Sequence, residues 1–178
     1  MPRKTPKTPR EAKAAASVAA AGTGAPPTLR QFSRSLPMSL LRSREAVMRH
    51  FRPALRRHGL TEQQWRILRA LTSVDEIEVT GLAHMAYLLG PSLSRMLRDL
   101  EARGLISRRA VATDLRRGTV SITPKGVELI AAVAPLSEAI YAQITATYGA
   151  ANLARLQEML AALERELMAL PVLYPYGD

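Results

Sequence analysis

Residues 80–123 read TGLAHMAYLLGPSLSRMLRDLEARGLISRRAVATDLRRGTVSIT and decide the fold. Apolar residues at helical spacing predict two short helices, over about residues 80–88 and over residues 91–103. Leu89 and Gly90 separate them, and a proline at the next position suits the first turn of the second helix. Two helices joined by a short turn that contains glycine are typical of a helix-turn-helix motif.

The second of these helices is predicted to have one buried and one exposed face. Its inward residues at helical spacing are Leu93, Met96, Leu97 and Leu100. The residues that remain form a short, polar and basic face: Ser92, Ser94, Arg95, Arg98 and Asp99. By itself such a face is more often an ordinary solvated surface, so its interpretation depends on the segments around it.

A β-hairpin is predicted directly after this helix. Residues 105–111 and residues 119–123 have the composition of strands, and residues 112–118 form a polar turn that carries Arg116 and Arg117. A helix-turn-helix followed by such a hairpin predicts a winged helix. In that fold the helix can fill a major groove while the wing reaches phosphates or the minor groove.

Longer helices are predicted on both sides of this unit. Residues 37–57 repeat apolar side chains every three or four positions, and Pro53 is expected to kink or shorten the last turn. A Thr-x-x-Gln capping box at residues 61–64 begins the next helix, and residues 73–78 form an acidic connection.

Two helices are predicted after the hairpin, over residues 124–148 and over residues 150–170. The last one repeats leucines at nearly 3.5-residue spacing and lies outside the winged unit. Another copy of the chain is the most economical partner for such a stripe, so the pattern predicts a homodimer. An intrachain cap over the core is the alternative.

The charge of the chain favours a polyanionic partner. The 178 residues carry a formal net charge of +10, distributed as +6 over residues 1–35, +3 over residues 36–78, +5 over residues 79–126 and −4 over residues 127–178. A merely soluble surface would explain the total, but not a basic middle followed by an acidic end. Nucleic acid is therefore the favoured partner.

The ends of the chain are predicted to lie outside the folded domain. Residues 1–34 are rich in Pro, Ala, Thr and Lys, with little to bury, which predicts a disordered basic arm. This arm would add nonspecific attraction to phosphates or serve only as a solubilising tail. Residues 171–178 form a C-terminal tail.

Several classes of protein are disfavoured. The absence of cysteine excludes disulfide scaffolds, thiolate nucleophiles and thiol redox sensing. His50, His58 and His84 lack metal-ligand spacing, and no Gly-rich phosphate loop, catalytic triad or carboxylate pair stands out, so we expect neither an enzyme nor a cofactor. The apolar stretches are too short to cross a bilayer, which predicts a soluble, cytoplasmic protein without a membrane partner. If this protein binds DNA, it is expected to be associated with the nucleoid.

Several local motifs resemble those of the MarR family of winged helix-turn-helix transcriptional regulators. The resemblance covers about residues 36–170 and is closest to the subgroup of homoprotocatechuate-degradation operon regulators, to which a 6-hydroxynicotinate-responsive regulator is also similar. The motifs that carry it are SLPMSLLRSREAVM at 35–48, GLTEQQWRILRAL at 59–71, PSLSR at 91–95, LEARGL at 100–105, DLRR at 114–117 and TPKG at 123–126.

The resemblance implies a homodimeric domain over residues 35–170 that reads a pseudo-palindromic operator. Residues 36–57 and 124–170 would supply the dimerisation helices, and residues 61–123 the DNA-binding lobe. Within this lobe the residues expected to serve DNA binding are Ser92, Ser94, Arg95, Arg98, Asp114, Arg116 and Arg117. Asp114 would brace the wing by pairing with one of the two arginines, although an ordinary turn residue fits the same position.

The family's small-molecule pocket lies between the dimerisation helices and the winged lobe. The candidates that line it here are Ser39, Ser43, Arg44, His50, Trp65 and Arg66. An aromatic acid needs a flat apolar wall and a cation, which a tryptophan and an arginine supply. Each candidate also has a plain structural interpretation, as a core tryptophan, a surface histidine or a salt-bridging arginine.

The sequence therefore predicts a transcriptional repressor that a small aromatic carboxylate, like hydroxyphenylacetate or hydroxynicotinate, releases from double-stranded DNA. Its target would be an aromatic catabolic operon. Two alternatives remain: a nonspecific architectural DNA-binding protein, and a dimerisation partner without operator binding.

Overall fold

The structure is a computed structural model that describes residues 31–111 and 114–171. At residues 110, 111 and 114–117 it describes the backbone only. The chain divides into two compact units, Met1–Ser43 and Arg44–Asp178. The predicted basic arm lies almost wholly outside the described residues. Of its last residues, Phe32–Arg34 form a short 3-10 helix.

Six α-helices and three strands follow in the described part of the chain. They are α1 (Leu36–Arg57), α2 (Glu62–Leu71), β1 (Ile77–Glu78), α3 (Val79–Ala86), α4 (Gly90–Ala102), β2 (Ile106–Val111), β3 (Asp114–Ile122), α5 (Pro124–Tyr148) and α6 (Ala150–Ala169). The predicted fold class is thereby confirmed: mainly helical, with a small β wing after a helix-turn-helix and with long helices at both ends.

The wing forms a three-stranded antiparallel sheet in which β3 lies between β1 and β2. The sequence predicts only a connection over residues 73–78, but Ile77 pairs with Val120 in β3. A strand of two residues is too short to show the alternation that identifies strands in a sequence.

The second wing strand is longer than the sequence predicts. Val111 pairs with Asp114, so only two residues separate β2 from β3, and the predicted turn over residues 112–118 is wrong. Residues 114–118 are polar or small for the most part, and a strand without an apolar face has the composition of a loop. Arg116 and Arg117 accordingly belong to β3 rather than to a loop.

Local signals in the sequence set the starts of α2 and α5. Thr61 accepts a hydrogen bond from the backbone N–H of Gln64, whose side chain accepts one from the N–H of Thr61, as the capping box predicts. Thr123 caps α5 by accepting a hydrogen bond from the N–H of Gly126. Pro53 does not end α1, which continues to Arg57.

The core lies between the second half of α1, α2, the helix-turn-helix, the sheet and the first half of α5. The inward side of α4 is completely buried at Leu93, Leu97 and Leu100. Val120 reaches the core from the sheet, and Val133 reaches it from α5. Burying each such leucine contributes about 1.5–3 kcal/mol, so the core fixes which face of α4 points outward.

Helix α5 is more apolar than the sequence analysis recognised. By length and composition alone it could cross a membrane, so the prediction that the apolar stretches are too short is wrong for this helix. Its apolar residues lie on more than one face of the helix. Ile130 and Val133 are buried in the core, whereas Val127 and Tyr141 are exposed.

Helix α6 presents a largely uncovered apolar surface. It buries none of its own residues in the described chain. Its exposed large apolar residues are Leu156, Met159, Leu160, Leu167 and Met168. An intrachain cap over the core would bury such residues, so this alternative is not supported.

Candidate functional site

The outward face of α4 carries the side chains that the sequence assigns to DNA. Ser92, Ser94, Arg95 and Arg98 are exposed. Ser94 also donates a hydrogen bond to the carbonyl of Gly90, 3.0 Å away. Among the described side chains, neither Arg95 nor Arg98 forms an ion pair, so both cations are available to an anionic partner.

Asp99, the remaining polar residue on this face, holds α4 in place. Buried Gln64 donates from Nε2 to Oδ2 of Asp99 at 2.7 Å. Arg103 lies 3.6 Å from the same carboxylate and donates to the carbonyl of Gly59 at 3.0 Å. The start of α2 therefore sets the position of α4, and Asp99 is a structural residue as much as an outward one.

The wing residues assigned to DNA are placed by their backbone only. Asp114, Arg116 and Arg117 lie in β3, but their side chains are outside the described part of the structure. Near the base of the wing, Arg108 forms an ion pair with Glu101 of α4 at 3.5 Å. This contact ties β2 to α4.

A cavity of about 210 Å³ lies between α1, α2 and α5. Its lining residues are Val47, Met48, Phe51, Trp65, Arg69, Ala134, Ser137, Glu138 and Tyr141. Phe51 and Tyr141 meet edge to face, with ring centroids 5.2 Å apart. The Arg69 guanidinium carbon lies 6.0 Å from the centre of the Trp65 ring. The cavity thus combines aromatic walls with a cation.

Of the residues predicted to bind an effector, Trp65 lines this cavity. The cation beside it is Arg69 rather than Arg66, because residues four apart share a helix face and adjacent residues do not. The spacing of four residues between Trp65 and Arg69 is the signal in the sequence that could have identified Arg69 as the cation of the cavity.

The other predicted effector residues lie elsewhere. His50 lines a second cavity, of about 330 Å³, against the end of α5. In the unit Met1–Ser43, Ser39 is half-buried and Ser43 is exposed.

Arg44 and Arg66 belong to an ion network around Glu62, whose side chain is 11% exposed. Glu62 pairs with Arg44, with Arg52 at 3.1 Å and with Arg66 at 3.4 Å. Arg66 also donates to the carbonyl of Ala86, at the end of α3, at 2.9 Å. Burial, and secondarily the charge of Arg44, lower the pKa of Arg66. Both predicted cations are therefore already engaged by protein groups.

The described residues contain no group of three or more histidine, cysteine, aspartate or glutamate side chains that could hold a metal ion.

Comparison with known proteins places the chain among transcriptional regulators. The sequence profile of the MarR family matches residues 58–117. The homoprotocatechuate degradative operon repressor of Escherichia coli is 39% identical over 126 residues, which are 71% of this chain and 85% of the relative.

Solved structures with the same fold extend the comparison. The transcriptional regulator PA4135 is 39% identical, with a TM-score of 0.71 over 77% of this chain and 98% of its own. NadR, solved with 4-hydroxyphenylacetate, is 32% identical, with a TM-score of 0.64 over 76% and 96%. The repressor CouR, solved on a 23-mer DNA duplex, is 27% identical, with a TM-score of 0.67 over 76% and 98%.

Proposed function

Because the chain belongs to the MarR family of transcriptional regulators, and is not an enzyme, we propose a specific role within that class. The protein is a homodimeric repressor that binds a pseudo-palindromic operator and leaves it when a small aromatic carboxylate binds. Its target is an aromatic catabolic operon. It acts in the cytoplasm on the nucleoid, without a membrane partner.

The observation that carries this proposal is the division of α4 into two faces. One face is locked into the core by three leucines, and the other presents Arg95 and Arg98 without ion-pair partners among the described side chains. Arginines on an exposed helix can contact guanine edges or phosphates in a major groove. A CouR complex with duplex DNA supports this use of the fold.

The uncovered apolar surfaces support a dimer. Exposed large apolar residues occur along α5 and α6, including Tyr141, Leu156 and Leu160. A second copy that covers them would present two α4 helices together. To enter successive major grooves of a palindrome, these helices must lie roughly 34 Å apart.

The cavity beside Trp65 supports an aromatic acid as the effector. Its aromatic walls suit a planar ring, and the Arg69 guanidinium suits a carboxylate. A dry cavity of ~150 Å³ accepts benzene, so about 210 Å³ admits one ring with small substituents. NadR, with its bound 4-hydroxyphenylacetate, supports an acid of this class, and the E. coli homoprotocatechuate degradative operon repressor supports an aromatic catabolic operon as the target.

Release from DNA follows from where the cavity lies. The cavity is lined by α2, and α2 contacts the end of α3 through the hydrogen bond from Arg66 to Ala86. One residue further on, Tyr87 donates to Glu164 of α6, which raises the pKa of the tyrosine. A ligand that shifts α2 relative to α5 changes the position of the helix-turn-helix, and hence the spacing of the two α4 helices.

Arg95→Ala is expected to weaken operator binding by about 1–3 kcal/mol and to relax the preference at one base pair, because a major-groove arginine is lost. Band-shift titration against the operator and its single-base variants measures both effects. Arg69→Ala on α2 is the matched control and, without ligand, should bind the operator like the wild type. Wild-type affinity of the Arg95 variant would remove this residue from the DNA contacts.

Arg117→Ala is expected to lower the slope of log affinity against log salt by about one, because one phosphate contact and its counterion release are lost. The slope is measured by fluorescence anisotropy at several salt concentrations. An unaltered slope would exclude a phosphate contact at this position of the wing.

The proposed function is tested by titrating the full-length protein on its own promoter DNA and on a scrambled duplex, with and without a panel of hydroxylated aromatic and pyridine carboxylic acids. We expect preference for the promoter and release by at least one acid. Equal affinity for both duplexes would indicate an architectural DNA-binding protein. Absence of binding to either duplex would indicate a dimerisation partner without operator binding.

A further inference from the structure

The cavity beside Trp65 contains charges of both signs. Arg69 lines it from α2, and Glu138 lines it from α5. Among the described side chains, neither forms an ion pair or a side-chain hydrogen bond with the other or with a third group. Glu62 of α2 is by contrast surrounded by three arginines, Arg44, Arg52 and Arg66. The two charged groups of the cavity are therefore free to bind the ligand itself.

The acidic side chain restricts which aromatic acids fit. A ligand carboxylate is attracted to Arg69 and repelled by Glu138, so the ring must lie between them with its carboxylate towards Arg69. An ionised carboxylate only accepts hydrogen bonds. The group that reaches Glu138 must then be a donor, such as a phenolic hydroxyl, an amino group or a ring N–H.

We infer that Glu138 is the specificity-determining residue of this cavity, and that it selects aromatic carboxylates that carry a hydrogen-bond donor on the ring, away from the carboxylate. The inference rests on the proposed effector and goes beyond it. Arg69 and Trp65 account for any flat aromatic acid, whereas Glu138 distinguishes a hydroxylated acid from one of equal size without a donor. Ser137, on the same cavity wall, is a neutral hydroxyl and does not repel the carboxylate.

The test compares 4-hydroxyphenylacetate with 4-fluorophenylacetate, because fluorine is close in size to a hydroxyl but cannot donate. Trp65 is the only tryptophan of the chain and lines the cavity, so its fluorescence follows binding to the full-length protein directly. A hydrogen bond to a charged group predicts that the wild type binds the hydroxylated acid at least about tenfold more tightly.

Glu138→Gln and Glu138→Ala should reduce this ratio, to roughly threefold and to about one respectively, since the charged acceptor is weakened and then lost. The fluorinated acid should bind these variants as tightly as the wild type or more tightly, because a repelling charge is gone. A general loss of structure would weaken both acids together. Glu128→Gln, at another exposed glutamate of α5, is the matched control and should keep the wild-type ratio.

Equal binding of the two acids by the wild type would overturn the inference and leave the proposed effector class intact. If both Glu138 variants kept the wild-type preference for the hydroxylated acid, the inference would likewise be overturned and the proposed effector class would stand. If neither acid alters the fluorescence and calorimetry also detects no binding, the proposed effector fails, and the role of Glu138 fails with it.

Discussion

Gly126→Ala is expected to destabilise the fold by roughly 3 kcal/mol or more, at or above the usual cost of overpacking a core. A β-carbon at Gly126 would lie 2.2 Å from the carbonyl oxygen of Leu105 and 2.7 Å from Cγ1 of Ile122. The Leu105 carbonyl is backbone and also accepts the N–H of Thr123, so it cannot move without loosening the start of α5 from the wing. The unfolding midpoint in urea, at fixed protein concentration, measures the loss.

Gly90→Ala is the matched control. Nothing lies within 4 Å of a β-carbon at Gly90, which begins α4 with an ordinary negative φ. Alanine there should leave stability unchanged or raise it by up to about 1 kcal/mol, because it reduces the freedom of the unfolded chain. Indistinguishable midpoints for the two variants would contradict the close approach of α5 to the wing.

Arg69→Ala is expected to weaken binding of 4-hydroxyphenylacetate by roughly 1.5–3 kcal/mol, or about ten- to hundredfold, through loss of a charged partner for the carboxylate. Operator binding without ligand should remain at the wild-type level, and DNA release should need correspondingly more acid. Isothermal titration calorimetry measures the affinity without relying on the tryptophan beside the mutated residue.

Arg98→Ala tests the separation of the two sites. Its side chain lies on the exposed face of α4, so it should bind the acid like the wild type and bind the operator more weakly. Wild-type affinity of the Arg69 variant for the acid would place the carboxylate elsewhere. Equal weakening of acid binding in both variants would mean that the effect is not local to the cavity.

The parts of the fold that the sequence predicts are those with strong local patterns. The two faces of α4 follow from leucines at helical spacing, and the start of α2 follows from a capping box that the structure shows to be complete. Strand β1 and the first residues of β3 leave no such pattern. Strand β1 forms by pairing with residues 119 and 120 of β3, and a partner so distant in sequence cannot be identified from local composition. The first residues of β3 pair with the neighbouring strand β2, but their mostly polar composition does not distinguish a strand from a loop.

The cavity is predictable only in part, for a similar reason. Trp65 follows from its type, because a planar ligand needs a planar wall. Arg69, Glu138 and Tyr141 come from two helices whose packing decides which residues face each other. Arg66 is an equally reasonable cation in the sequence, but its guanidinium is engaged by Glu62 and by the Ala86 carbonyl.

Crosslinking tests most directly whether the exposed face of α4 contacts DNA. The natural chain has no cysteine, so Ser94→Cys and, as a control on α6, Glu166→Cys can each carry one photoactivatable group. We expect the Ser94 probe to crosslink to defined bases in each half of the operator, and the aromatic acid to abolish these crosslinks. Crosslinking from α6 but not from α4, or equal crosslinking of scrambled DNA, would contradict the account.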